Sequence, residues 1–139
     1  MKVAIIIVCI VVVLFVVYHL FPLIQVCGDS MYPTYLDGEI IFGTKLYRKS
    51  KLKKGDIIVY KSPRENRTVI KRIDHITVIR GVYQFYCLGD NADHSYDSRA
   101  YGYISSKNLV CKVINQRRYM NDVCNQERWN SWPIQPRQN

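Results

Sequence analysis

Three short stretches of this chain carry side chains that could make and break covalent bonds. Ser30 stands in Gly28-Asp29-Ser30-Met31-Tyr32-Pro33-Thr34 and Lys71 in Val69-Ile70-Lys71-Arg72-Ile73. A polar stretch follows, Gly89-Asp90-Asn91-Ala92-Asp93-His94-Ser95-Tyr96-Asp97-Ser98-Arg99. A serine hydroxyl is a poor nucleophile until a neighbouring base takes its proton. Histidine is the usual base, but His19 falls in an apolar run, and His75 and His94 sit beside acidic residues in stretches that read as exposed surface.

Lys71 is better placed. Alternate side chains of an extended strand share a face, so Lys71 lies with Val69 and Ile73 while Ile70 and Arg72 point the other way. Desolvation on an apolar face brings a lysine amine from about 10.4 down toward roughly 7–8, where it can act as a general base. Arg72 could not substitute, because a guanidinium does not deprotonate in proteins. Taken alone, Lys71 also reads as a lysine reaching from an edge strand to water; the two companion stretches turn the reading toward chemistry.

These side chains need a scaffold beside a membrane. Residues 3–18 are all apolar, and the run continues to Ile24 with no acidic residue, lysine or arginine. About 20 apolar residues suffice to span the hydrocarbon. A cleavable secretory signal also begins with a basic residue and an apolar run. Here the run is longer than such a core, and no small-x-small pattern closes it before Gly28, so residues 1–25 read as a short stub and an uncleaved transmembrane anchor. The rest fits one domain of roughly 110 residues.

Beyond the anchor, short apolar runs at 39–42, 56–60, 68–73, 76–79, 82–88 and 109–114 alternate with turn residues, which predicts a mostly β domain over residues 26–114. Gly81 marks a hairpin, and Leu36-Asp37-Gly38-Glu39 and Lys54-Gly55-Asp56 mark turns. Residues 115–139 are rich in Asn, Gln, Arg and Pro, with isolated Trp129 and Trp132, and read as a loosely ordered tail.

The net charge of +9 is concentrated in Lys45, Arg48, Lys49, Lys51, Lys53 and Lys54, close to the anchor and outside any recognisable nucleic-acid-binding module. Anionic lipid headgroups are one expected partner of this run, and a solvated basic loop is the plain alternative. No nucleic-acid partner is expected. The five cysteines, Cys9, Cys27, Cys87, Cys111 and Cys124, show neither a metal-ligand spacing nor an even framework. Cys9 lies in the apolar run; the other four could pair in an oxidising compartment, in a connectivity the sequence does not set, or stand as buried free thiols, and no metal and no cofactor are expected.

The three stretches, in this order behind one amino-terminal span, resemble type I signal peptidases, the membrane-bound serine/lysine proteases that remove signal peptides from exported precursor proteins. The resemblance covers roughly residues 3–114 and implies one β-rich serine/lysine peptidase domain. It implies Ser30 as nucleophile and Lys71 as general base, with Ser95 orienting the lysine amine and Asp97 and Arg99 as a supporting ion pair. Gly28, two residues before the nucleophile, matches the Gram-positive-type branch and leaves the Ser30 backbone N–H as the main oxyanion donor. Cys111 departs from the family, which usually has glycine there.

Charge alone argues against a catalytic domain outside the cytoplasm, since the basic residues crowd the domain side of the span. Long domains translocate largely regardless of charge, and the resemblance places the domain on the extracytoplasmic side of the cell membrane. Two other readings compete. LexA-type self-cleaving proteases share a serine/lysine pair, but they are soluble and lack the third stretch. A non-catalytic membrane-tethered β module that binds exported proteins would not need Ser30, Lys71, Ser95, Asp97 and Arg99 together.

Overall fold

The computed structural model describes residues 2–65 and 67–114; the tail expected at 115–139, including Cys124 and the two tryptophans, lies outside them. The apolar run forms helix α1 (Lys2–Leu20), none of whose residues is buried against the rest of the described chain. Its length, about 28 Å at 1.5 Å per residue, and its composition are enough to cross a membrane. Phe21 closes the last turn by donating its N–H to the Val17 carbonyl at 2.9 Å, and Pro22 follows, which suits a helix end.

The remainder is built on seven strands: β1 (Leu23–Gln25), β2 (Ile40–Thr44), β3 (Ile57–Lys61), β4 (Thr68–Ile79), β5 (Val82–Leu88), β6 (Ile104–Ser105) and β7 (Leu109–Val113). They pair antiparallel in the order β1-β2-β7-β3-β4-β5-β6. The mostly β expectation therefore holds. The two runs expected at 68–73 and 76–79 are one strand, whose pairing with β5 shifts register between Ile73 and His75. Strands β1 and β6 went unread because two or three residues are too short to show a period. Arg80 and Gly81, both at positive φ, make the two-residue turn expected at Gly81 between β4 and β5.

Strand β3 is buried on both faces, which is why Ile57-Ile58-Val59-Tyr60 is continuously apolar rather than alternating. Ile57 and Val59 join Val26, Met31, Tyr35, Ile41, Cys111 and Val113. Ile58 and Tyr60 join Leu52, Ile73, Phe85, Cys87 and Ile104 on the other side. The loop carrying Ser30 is thus fastened by Met31 and Tyr35, both fully buried in the first cluster.

Cys111 sits against Gly43 of the neighbouring strand. A Cβ on Gly43 would stand 2.7 Å from the Cys111 sulfur, so the glycine provides the room that this thiol needs. Burial raises the Cys111 thiol to about 11 and pushes the Cys87 thiol up as well, and both are free. Cys9 and Cys27 are free and exposed.

Candidate active site

Strand β4 delivers Lys71 and the loop after β1 delivers Ser30. Lys71 is opposite Ile58 in the β3–β4 register, and its side chain is only 3% exposed. Its Nζ lies 2.6 Å from Ser30 Oγ, its one hydrogen-bonding partner among the described residues. Burial lowers the lysine pKa below its ordinary 10.5; Asp97 and Asp90 oppose this, and Arg67 adds to it. A half-buried hydroxyl touching a desolvated amine is the arrangement that Ser30 activation requires.

The third stretch holds the first in place. Asn91 donates its backbone N–H to the Ser30 carbonyl at 3.0 Å and its side-chain amide to the Asp29 carbonyl at 3.1 Å. Asp90 receives the guanidinium of Arg72, Nε to Oδ1 at 2.8 Å and Nη2 to Oδ2 at 2.7 Å, and also the Thr34 hydroxyl. Arg72 Nη1 continues to the Gly55 carbonyl at 2.9 Å. Residues 71 and 72 therefore divide the work across the strand: the lysine meets the Ser30 hydroxyl, and the arginine clips the loops that carry it.

Asp97 is fully buried and accepts from four donors: the Gly89 N–H (2.9 Å), the Ser95 hydroxyl (2.7 Å), the Arg99 N–H (3.1 Å) and the Arg99 guanidinium (2.9 and 2.7 Å). Burial alone would raise this carboxyl, but the Arg99 guanidinium and the other donors outweigh it and hold the pKa at about 2. Asp97 also caps the short helix α2 (Ser98–Tyr101). Asp97 and Arg99 form an ion pair, Nη2 to Oδ2 at 2.7 Å, with the carboxylate buried and the guanidinium partly exposed.

Ser95 differs from that reading. Its hydroxyl donates to Asp97, and it makes no hydrogen bond to Lys71. Asp97 is ionised and fully buried, so the hydroxyl is drawn to the stronger acceptor. Ser95 still borders the site through Gly89, where a Cβ would lie 2.1 Å from Ser95 Oγ and 2.6 Å from the Ser30 carbonyl oxygen. Only a glycine lets these segments approach so closely.

Two contributors are not apparent from the sequence. In the sequence Gly89 reads only as the start of a polar stretch, and Arg72 only as a group that cannot act as a base. A cation at Arg72 and a carboxylate at Asp90 are the available signal for the clip. His94, read as surface, lies on the rim of the cleft and contacts Asp29, with Nδ1 3.2 Å from Oδ2. His75 is exposed and bonded to Asp74 (2.9 Å) and the Tyr103 hydroxyl (2.7 Å), among residues that do not line the cleft.

Ser30 and Lys71 open onto a cleft of about 400 Å³, walled by residues 24–31 on one side and 67–71 on the other. Ile24, Val69 and Ile70 give it apolar lining, and Gln25, Asp29, Arg67, Thr68 and His94 give it polar lining. Both walls have free backbone edges. Among the described residues strand β1 ends the sheet, and β4 pairs with β5 only from Arg72 onward, which leaves residues 68–71 without a described neighbour on that side. The Ser30 N–H donates to no described residue. No cluster of metal-ligating side chains occurs among the described residues.

The family profile described as "Signal peptidase, peptidase S26" matches residues 1–78, a stretch that includes α1, Ser30 and Lys71. The chain is also similar to "Signal peptidase I" of Buchnera aphidicola subsp. Acyrthosiphon pisum (strain APS), at 35% identity over 69 residues. That match spans 50% of this chain and 21% of the relative, so the chain corresponds to about a fifth of that protein's length. With a family match over more than half of its residues, the chain belongs to the signal peptidase family, peptidase S26.

Proposed function

We propose that this protein is a membrane-anchored serine endopeptidase of the type I signal peptidase kind, cleaving signal peptides from exported precursors. The observation that carries the reading is the 2.6 Å contact between Lys71 Nζ and Ser30 Oγ inside the cleft. An extended peptide can add its backbone between the free edges at residues 24–26 and 68–70, which would draw a scissile carbonyl along to Ser30. Helix α1 would anchor the domain, on the extracytoplasmic side, where emerging precursors are met. The Gram-positive-type placement within the family rests on Gly28.

In this mechanism neutral Lys71 accepts the Ser30 proton as Oγ attacks the carbonyl carbon. The Ser30 N–H donates to the developing oxyanion, a contribution of about 10²–10³ in rate for one such donor. Lys71 then passes the proton to the leaving amine, leaving the signal peptide esterified to Ser30. A water deprotonated by Lys71 hydrolyses the ester and frees the signal peptide as a carboxylic acid. Ser95, Asp97 and Arg99 act indirectly, by fixing Gly89 and Asn91 against the Ser30 loop.

The test is incubation of the detergent-solubilised protein with a precursor bearing an Ala-x-Ala site, and location of the cut by mass spectrometry. Cleavage after the second alanine by the parent protein and none by Ser30→Ala supports the reading. Equal cleavage by both, or none by either, rejects it.

A further inference from the structure

The basic run after β2 is fastened to the foot of the membrane helix. Lys45 donates its N–H to the carbonyl of Leu20, the last residue of α1, at 2.9 Å, and Gly43 donates to Pro22 at 2.9 Å. Lys45 therefore stands where α1 would leave the hydrocarbon. The following segment has two distinct faces. Tyr47 and Leu52 pack inward against the cluster of Ile58 and Tyr60, while Lys45, Arg48, Lys49, Lys51 and Lys53 stay exposed.

None of these five cations pairs with a carboxylate among the described residues; of the run, only Lys54 does, with Asp74 at 3.0 Å. Leu46, 62% exposed, stands between Lys45 and Arg48's inward-facing neighbour Tyr47. An exposed leucine amid unpaired cations is well matched to a headgroup layer, where apolar tails and phosphates lie side by side. Attraction of this kind fades within about 10 Å at ordinary ionic strength, a range that the contact with α1 satisfies for Lys45.

We propose that the segment 45–53 is a lipid-binding foot: Lys45, Arg48, Lys49 and Lys51 engage anionic phospholipid headgroups while Leu46 enters the interface. The foot adds a second hold on the bilayer besides α1 and limits how the domain can swing about the end of the helix. It does not depend on the peptidase reading, because its test reads lysine protection rather than cleavage.

The full chain is reconstituted in lipid nanodiscs, one set of phosphatidylcholine alone and one with about a third phosphatidylglycerol. Lysines are acylated briefly with a water-soluble amine reagent and the modified positions are read by mass spectrometry. Labelling at Lys45, Lys49 and Lys51 is expected to fall at least about threefold with phosphatidylglycerol and to recover in high salt. Lys112, held by Asp56 at 2.8 Å, should not respond. Leu46→Ser should lessen the protection, and replacement of Arg48 and Lys49 by glutamine should lessen it at Lys45. Equal labelling of the run in both lipids would overturn the proposal. So would protection by an added single-stranded oligonucleotide in phosphatidylcholine with none from phosphatidylglycerol, which would reassign the run to nucleic acid.

Discussion

Arg72 closes on Asp90 through two parallel hydrogen bonds, and that single pair ties strand β4 to the loop whose next residue holds the Ser30 carbonyl. Asp90 is 3% exposed and Arg72 17%, so the pair is largely desolvated. Removing one partner would leave an uncompensated buried charge. Asp90→Ala is expected to cost about 3 kcal/mol in urea unfolding and to slow cleavage as well. Arg72→Lys keeps the charge but loses the fork, and should also be defective. A double-variant cycle that found the two sites additive would contradict the clip.

Gly89 offers a sharper test of close packing. A methyl group there meets Ser95 and the Ser30 backbone carbonyl, and the carbonyl cannot yield without moving Ser30. Gly89→Ala should reduce turnover by about a hundredfold, the effect expected of a misplacement on the order of 1 Å. Ser95→Ala removes one neutral donor from Asp97 and should cost roughly 1–2 kcal/mol of stability with a smaller loss of rate. The reverse ranking of the two rates would return Ser95 to a direct role on Lys71.

Asp97 links the site to acid stability. Its folded pKa of about 2 lies below the ordinary 3.8, so its contribution is complete above the unfolded value and is lost as pH falls through the folded one. The expected loss is about 2 kcal/mol between about pH 4 and pH 2. Asp97→Asn should be less stable near neutrality and should lack this part of the acid transition. Parallel stability curves for variant and parent would refute the assignment.

The parts of the site that were legible in the sequence are those encoded by local type and period. Lys71 between Val69 and Ile73 declared a buried amine because strand alternation fixes its face. The continuous apolar run before Gly28 declared α1. What stayed hidden depends on contacts between distant segments: the Arg72–Asp90 clip, the Asn91 bonds to residues 29 and 30, and the glycine at 89 all require knowing which loops meet. The same blindness affected Ser95, whose hydroxyl had two plausible acceptors until Asp97 was found buried beside it. Gly43 and Cys111 likewise make sense only as neighbours across β2 and β7.

Exchange of Lys71 separates charge from basicity. Lys71→Arg keeps the cation and most of the bulk but cannot accept a proton, so it should be as inactive as Lys71→Ala, with a loss of at least about 10² in turnover. Precursor cleavage at near-parent rates by the arginine variant would exclude the general-base role.

The dependence of kcat/KM on pH, measured with an Ala-x-Ala precursor and the intact protein, tests the central claim most directly. A base lowered by burial loses its proton early, so the rate should rise with pH and level off with a midpoint well below the ordinary lysine value of 10.5. A profile that is flat across the neutral and alkaline range, or that rises only at the pKa of a free amine, would contradict Lys71 as the group that activates Ser30.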